Sequence, residues 1–231
     1  MFNSLKRSYI HPDGYFFIAI FVFITICMHF LSLAFGIMGW VFTIWCVYFF
    51  RNPVRIVPDR EGLIVSPADG KVCNIILNVK APKELALIEL EKWTRISIFL
   101  NVFDVHVNRI PIKGKITHSC YHSGKFFNAS FNKASIYNER QSIVVKVNND
   151  ISIPFVQIAG LIARRIRCDV KIGDFVETGS VFGLIRFGSR MDIYLPSNIS
   201  SFVVVGQRTI AGETVLADLN TQYESRIGRK C

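Results

Sequence analysis

The residues in this sequence best suited to covalent chemistry are a serine that follows a glycine, a histidine and an aspartate. Ser189 follows Gly188 between two runs of β-branched residues, and a serine hydroxyl attacks a carbonyl well only when a base removes its proton. His106 is a candidate base, because the unperturbed pKa of histidine, about 6.5, allows it to give and take protons near neutrality, and Asp69 could orient such a base. Ordinary interpretations stand beside this one: a tight turn at Gly188-Ser189, a turn carboxylate at Asp69 and a half-buried strand histidine at His106.

Two further histidines, His118 and His122, lie four residues apart. Such a pair can bind one metal ion when it lies on a helix. The residues around it are predicted to be strand or loop, so we expect no metal site. His29 lies within an apolar run and is assigned no role.

Four stretches of the sequence, in order, resemble the short-form phosphatidylserine decarboxylases, a family of self-cleaving, pyruvoyl-dependent proenzymes. They are S-P-A-D-G-K-V at 66–72, F-D-V-H-V-N-R-I-P at 103–111, N-E-R at 138–140 and R-F-G-S-R-M-D-I-Y-L-P at 186–196. Q-I-A-G at 157–160 and A-R-R-I at 163–166 add to the likeness. It covers essentially all of the chain outside the apolar N-terminal segment.

The resemblance implies that the chain cleaves its own bond between Gly188 and Ser189. Ser189 Oγ would attack the Gly188 carbonyl, assisted by Asp69 and His106, which occupy the matching positions of an Asp-His-Ser arrangement. Gly188 suits the distortion because it has no Cβ. Elimination and hydrolysis would then convert Ser189 into a covalent pyruvoyl group. The products would be a β chain, residues 1–188, and an α chain, residues 189–231, which together form a heterodimer.

The activity implied by the resemblance is decarboxylation of phosphatidylserine to phosphatidylethanolamine. The pyruvoyl ketone would form a Schiff base with the lipid amine and accept the electrons that CO₂ leaves behind, so no metal or external cofactor is expected. His106 is the expected proton donor. Some longer family members have a second histidine three residues later, where this chain has Arg109. Arg190 and Asp192 flank the new group and either order it or form a solvated turn pair.

The elements that must position these residues are mostly strands, which predicts a mainly β (α+β) soluble domain. Residues 148–150, Asn-Asn-Asp, predict a hairpin turn, because Asn and Asp tolerate positive φ. Helix is predicted at 160–167 and at 83–93. The predicted strands cover 63–65, 71–77, 95–100, 112–116, 142–147, 151–158, 181–185, 191–195, 202–205 and 214–216.

The C-terminal part of this domain resembles the barrel-sandwich of biotinyl and lipoyl carriers. The residues that carry this likeness are 170–185, followed by a tight segment and another strand. Carriers present a modifiable lysine at an exposed hairpin turn. Gly188 and Ser189 stand at the comparable place, so a carrier function lacks its reactive residue.

The N-terminal 50 residues predict a membrane anchor. Residues 15–50 contain no Asp, Glu, Lys or Arg. This uncharged run of 36 residues is longer than the roughly 20 apolar residues that a membrane-spanning helix needs. Ser32 and the Gly36–Gly39 segment favour a helical hairpin from 15 to 33 and from 37 to 50, with one long tilted helix as the alternative. We therefore predict an anchor at 1–50, a linker at 51–60 and a catalytic domain at 61–231.

Charge and cysteine content indicate the compartment and the partners. Arginine and lysine flank the apolar run on both sides, which favours the cytoplasmic side of the cell membrane for both flanks. The net charge of +10 favours an anionic lipid surface, and the sequence lacks recognisable nucleic-acid-binding motifs. Six scattered cysteines without a C-x-x-C pattern favour reduced thiols. A higher homo-oligomer stays open.

Two other functions remain as alternatives. One is a membrane-tethered serine hydrolase that uses Ser189 and His106, although no Gly-x-Ser-x-Gly signature surrounds Ser189. The other is a non-catalytic lipid-binding β module. Both alternatives predict one intact chain, whereas the decarboxylase would consist of two.

Overall fold

The computed structural model of the chain describes residues 8–85, 92–125, 137–160, 166–186 and 188–221. The chain divides into two compact units, Met1–Val54 and Arg55–Cys231. The first contains two helices and the second contains the strands.

The N-terminal unit is the predicted helical hairpin. Helix α1 covers Pro12–Leu31 and helix α2 covers Leu33–Phe49. Ser32 separates them, and its hydroxyl caps α2 by accepting a hydrogen bond from the Phe35 N–H at 3.3 Å. The bend therefore falls at Ser32, and the Gly36–Gly39 segment lies inside α2.

Small and hydroxyl-bearing residues let the two helices approach closely. A Cβ at Gly36 would lie 2.2 Å from His29 Nδ1, and one at Gly39 would lie 2.8 Å from Thr25 Oγ1. Thr25 and Thr43 hydrogen-bond through their hydroxyls at 2.9 Å, so these buried polar groups are satisfied. Large apolar side chains such as Phe30 point outward. The 20 residues of α1 span about 30 Å, and α1 is long and apolar enough to cross a bilayer.

The second unit is built from thirteen strands within its described residues. They are β1 (Leu63–Val65), β2 (Gly70–Val79), β3 (Trp93–Leu100), β4 (Val107–Arg109), β5 (Gly114–His122), β6 (Arg140–Lys146), β7 (Ser152–Ile158), β8 (Ile166–Cys168), β9 (Phe175–Val176), β10 (Val181–Ile185), β11 (Ser189–Pro196), β12 (Arg208–Thr209) and β13 (Val215–Asp218).

The described strands form three antiparallel sheets. The large sheet has the order β12-β2-β3-β11-β7-β6-β5-β9, the small sheet has the order β4-β10-β8, and β1 pairs with β13. The inner face of the large sheet packs with the small sheet around a core that includes Phe155, Phe182 and Met191. A second apolar cluster around Trp93 and Tyr194 lies on the outer face.

Charged groups are also buried on the outer face. Glu84 forms an ion pair with Arg140 and accepts a hydrogen bond from Ser142 Oγ at 3.1 Å. Burial is the largest single cause and raises the pKa of the Glu84 carboxyl, but the hydrogen bonds from Arg140, the backbone and Ser142, together with the charge of Arg140, outweigh it, so the pKa is lowered from 4.5. The carboxyl is therefore more acidic in the folded chain.

The structure corrects several predicted elements. Residues 202–205 form no strand, because Ser201 Oγ both donates to the Val203 carbonyl and accepts from its N–H. The predicted helix at 83–93 is a short 3₁₀ turn at Lys83–Leu85, and strand β3 begins at Trp93. Residues 86–91 lie outside the described part.

The helix predicted at 160–167 is also wrong at the residues that the structure describes. Ile166–Cys168 forms strand β8, because it pairs with β10, while residues 161–165 lie outside the described part. The hairpin at 148–150 is confirmed, but for a different reason. Its residues avoid positive φ, and Asn148 Oδ1 instead accepts hydrogen bonds from the N–H groups of Asp150 and Ile151.

Candidate active site

Ser189 opens the central strand of the large sheet. It pairs with Leu100 of β3, and the next residue also pairs with Ile158 of β7. Its side chain is fully buried, and its Oγ has no hydrogen-bond partner among the described residues. A buried hydroxyl without a partner is costly to stability, because it loses its hydrogen bonds to water.

Gly188 stands before Ser189 in the left-handed region, with φ +65°. A Cβ there would meet no atom within 4 Å, so the backbone angle rather than space favours glycine. The segment also differs from the hairpin turn of a carrier domain. Strands β10 and β11 belong to different sheets, and the link between them crosses from one to the other.

His106 lies beside this link. Its carbonyl accepts a hydrogen bond from the Ile185 N–H at 3.4 Å, at the end of β10. Ser189, at the other end of the link, pairs with Leu100, just before the loop that leads to His106. The contact of Ile185 with His106 and the pairing of Ser189 with Leu100 therefore bring His106 and Ser189 into one region.

The histidine ring is oriented by the main chain. His106 is fully buried, and its Nδ1 lies 2.9 Å from the carbonyl oxygen of Asp104. Because a carbonyl can only accept, Nδ1 carries the proton and the neutral ring has its lone pair on Nε2. Nε2 is therefore the atom that can take a proton from a nearby hydroxyl.

Asp69, the candidate carboxylate, and Asp104, which lies two residues before His106, have different partners. Asp69 accepts hydrogen bonds from Arg55 Nη2 at 2.7 Å and from the Ala211 N–H at 2.7 Å; neither of these partners is His106. Asp104 accepts from the Asn101 N–H at 2.9 Å and forms an ion pair with Arg208. The Asp69 carboxylate and His106 are not hydrogen-bonded in this structure, so their pairing stays a prediction.

This part of the chain is also where comparison with known proteins is informative. The sequence model of a family described as phosphatidylserine decarboxylase matches residues 42–217. The chain belongs to the phosphatidylserine decarboxylase family. A phosphatidylserine decarboxylase proenzyme from Rickettsia akari is 52% identical over 217 residues, which cover 94% of this chain and 93% of that protein. Proteins of the same name from Rickettsia felis and Rickettsia typhi are 52% and 51% identical over the same shares.

Arg109 lies three residues after His106, at the position where a second histidine was expected from the resemblance to some longer family members. It donates a hydrogen bond to the Gly179 carbonyl at 2.9 Å. Burial, followed by the nearby positive charge of Arg55, lowers the Arg109 pKa to about 10, and the charges of Asp69 and Glu213 oppose that shift. The guanidinium therefore stays charged near neutrality and cannot replace a histidine as a base.

Arg190 and Asp192 form a buried pair rather than a solvated turn. Their side chains are 1% and 0% exposed, and Arg190 Nη2 donates to Asp192 Oδ2 at 3.0 Å. They lie on strand β11 on the face opposite Ser189, because successive strand residues alternate in direction. Asp192 also raises the pKa of the Tyr194 phenol, after burial, which is the larger cause. The pair therefore supports the outer face of the strand.

Two buried amides near Ser189 had no role in the sequence-based assignment. They are Asn108 on β4 and Gln157 on β7, and they hydrogen-bond to each other at 2.9 Å. Both lie within stretches that resemble the family, which was the available signal. Nothing in the local sequence indicates that residues so far apart in the chain meet.

The described residues contain no group of three His, Cys, Asp or Glu side chains arranged to hold a metal ion. His118 and His122 lie on strand β5, where four residues span about 13 Å.

Proposed function

We propose that this chain is a phosphatidylserine decarboxylase that matures by cleaving its own Gly188–Ser189 bond. The observation that carries the proposal is Ser189 itself. In a chain of this family, its buried Oγ has no partner among the described residues, and the glycine before it holds a positive φ. A hydrolase or a passive lipid-binding module gives no reason for this combination.

Self-cleavage assigns a task to each candidate residue. Ser189 Oγ attacks the Gly188 carbonyl, and His106 Nε2 takes the hydroxyl proton because Nδ1 is held by the Asp104 carbonyl. Asp69 is the proposed carboxylate that supports the charged histidine, which requires it to exchange a present partner for His106. Gly188 supplies the backbone freedom that the attack needs.

The cleaved chains would stay together. The α chain, residues 189–231, begins with strand β11, which lies between β3 and β7 of the β chain, residues 1–188. Residues of β11 pair with β3 along its whole length, from Ser189 to Pro196. The ladder of hydrogen bonds supports a stable heterodimer after the bond is broken.

Conversion of Ser189 would place a pyruvoyl group at the start of β11. The group supplies a ketone that condenses with the amine of phosphatidylserine and accepts the electrons released with CO₂. His106 is the proposed residue that holds and returns a proton at Nε2, which is supported by the contact of its Nδ1 with the Asp104 carbonyl. Ser189 and His106 are both fully buried, so this chemistry takes place inside the fold.

The proposed substrate lies in an anionic membrane, and the N-terminal unit supports attachment to it. Residues 1–50 are the proposed anchor, with basic flanks that favour the cytoplasmic side of the cell membrane for the catalytic domain. The loop before His106 carries Phe103, which is 61% exposed. Positive charge lies nearby as well. Arg208 forms an ion pair with Asp104, and Lys71 lies opposite Arg208 where β2 pairs with β12.

The decisive experiment is mass spectrometry of the purified protein after denaturing electrophoresis. Two chains are expected, the smaller one beginning at position 189 with a pyruvoyl group in place of a free amine. The Ser189→Ala variant should remain one chain without decarboxylase activity, because the attacking oxygen and the precursor of the ketone are both lost. A free serine amine at position 189 would rule out the pyruvoyl group, and one intact wild-type chain would favour the alternatives.

A further inference from the structure

Gln157 lies close to Ser189 on the inner face of the large sheet. It pairs directly with Met191 of β11 and with Gln141 of β6. Ser189 precedes Met191 by two residues, so both face the same side. Gln157 and Ser189 are therefore diagonal neighbours on adjacent strands, about 7 to 8 Å apart and within reach of a long side chain.

Gln157 connects the large sheet to the small one through Asn108. Its Nε2 donates to Asn108 Oδ1 at 2.9 Å and lies 3.3 Å from the Arg167 carbonyl oxygen. Gly183, which pairs with Asn108 in the small sheet, makes room for this contact. A Cβ at Gly183 would lie 2.0 Å from the Arg167 carbonyl oxygen and 3.2 Å from Gln157 Nε2, so the glycine leaves space for both groups.

These contacts fix the orientation of both amides. The Arg167 carbonyl can only accept, so the nitrogen of Gln157 must face it. The same nitrogen donates to Asn108, so the Asn108 oxygen must face Gln157. The Nδ2 donor of Asn108 and the Oε1 acceptor of Gln157 are consequently turned away from their shared hydrogen bond.

Both of these remaining amide atoms are buried. Asn108 Nδ2, Gln157 Oε1 and Ser189 Oγ have no hydrogen-bond partner among the described residues, and all three side chains are fully buried. A folded chain rarely keeps such groups unsatisfied, because each one loses its hydrogen bonds to water. Asn108 and Gln157 lie beside the strand that Ser189 opens, and a reacting group at Ser189 would give these atoms a partner.

We propose that Asn108 Nδ2 stabilises the negative charge that develops on the Gly188 oxygen during self-cleavage, and that Gln157 is the positioning residue for Asn108. This inference rests on the proposed function. As Ser189 Oγ bonds to the Gly188 carbonyl carbon, its proton moves to His106 and the carbonyl electron pair moves onto oxygen. The C–N bond then breaks, the nitrogen regains a proton, and an ester remains. A buried amide donor stabilises the intermediate oxyanion without reorganising.

The chain offers a matched control for the positioning residue. Gln141 lies in the same cross-strand row as Gln157, one strand further from Ser189. Its Nε2 donates to Ser119 Oγ at 2.9 Å. Gln141→Ala therefore removes the same amide from the same face without reaching Asn108.

The test follows conversion of newly synthesised full-length chain into two chains by denaturing electrophoresis. Asn108→Ala should slow the conversion by about 100- to 1,000-fold, as expected for loss of one oxyanion donor. Asn108→Asp, which has nearly the same shape, should be at least as slow because it offers a negative charge and no donor at neutral pH. Gln157→Ala should slow the conversion more than Gln141→Ala does, when the two variants have equal unfolding temperatures.

Hydroxylamine distinguishes the proposed step from a later one, because it cleaves an ester that has already formed. We expect it not to rescue chain cleavage in Asn108→Ala. Rescue would overturn the proposal by showing that the ester accumulates and that Asn108 acts in elimination. Wild-type rates in Asn108→Ala and Asn108→Asp would overturn it as well. A wild-type chain that never cleaves would instead overturn the proposed function on which it rests.

Discussion

The buried pair formed by Arg190 and Asp192 gives a prediction whose magnitude follows from its surroundings. Asp192 is 0% exposed and Arg190 is 1% exposed, and Arg95 Nε lies 3.9 Å from the same carboxylate. Asp192→Asn keeps the shape of the side chain but removes the negative charge between two guanidinium groups. The positive charges then remain buried without that counter-charge.

Removing one partner of a buried ion pair costs about 3–5 kcal/mol, and because Asn retains one acceptor oxygen we expect about 3 kcal/mol. For a unit of this size, each kcal/mol lowers the unfolding temperature by about 2–4 °C, which gives a decrease of about 6–12 °C. The same triplet pattern, Arg-x-Asp, occurs at Arg167 and Asp169, whose side chains are 40% and 38% exposed. There Asp169→Asn should cost at most about 1 kcal/mol.

The assay is thermal unfolding in detergent, with both substitutions made in the Ser189→Ala background so that a single uncleaved species is compared. The expected result is a clear decrease for Asp192→Asn and a change below about 4 °C for Asp169→Asn. Equal decreases for the two variants, or an unchanged unfolding temperature for Asp192→Asn, would show that burial does not decide the strength of this pair.

Three further outcomes are expected. Asp69→Asn should slow chain cleavage by at least about 100-fold, as judged by electrophoresis, if Asp69 supports His106; cleavage at the wild-type rate would leave it a structural role. Because the pKa of Glu84 is lowered in the folded chain, its contribution to stability is present above about pH 4.5 and is lost as the pH falls through the folded-state pKa. Glu84→Gln should therefore reduce the loss of stability at acidic pH in unfolding scans. An unchanged dependence of the unfolding temperature on pH would contradict the assignment. Phe103→Ser should weaken activity on anionic vesicles more than Phe175→Ser, a control of similar exposure, and equal effects would argue against membrane contact at the His106 loop.

The sequence by itself determined the features that depend on local composition. The uncharged run at 15–50 predicted the helical hairpin, because apolar length and a Ser cap act within a few turns of helix. Most strands followed from β-branched runs. The family resemblance was confirmed over most of the chain, and it was this resemblance, rather than the Gly-Ser pair alone, that made Gly188 and Ser189 the predicted cleavage site, which stays a prediction.

Tertiary structure alone decided how distant residues meet. Strand β8 lies largely in a stretch that was predicted to be helix. The prediction failed because pairing with β10 overrides the local preference. The orientation of His106 by a main-chain carbonyl and the contact between Asn108 and Gln157 depend on how the sheets cross. The two Arg-x-Asp triplets show the physical reason most directly. Their local sequences are alike, but one lies at the edge of the small sheet and the other on a central strand of the large sheet, so packing alone makes one pair exposed and the other buried.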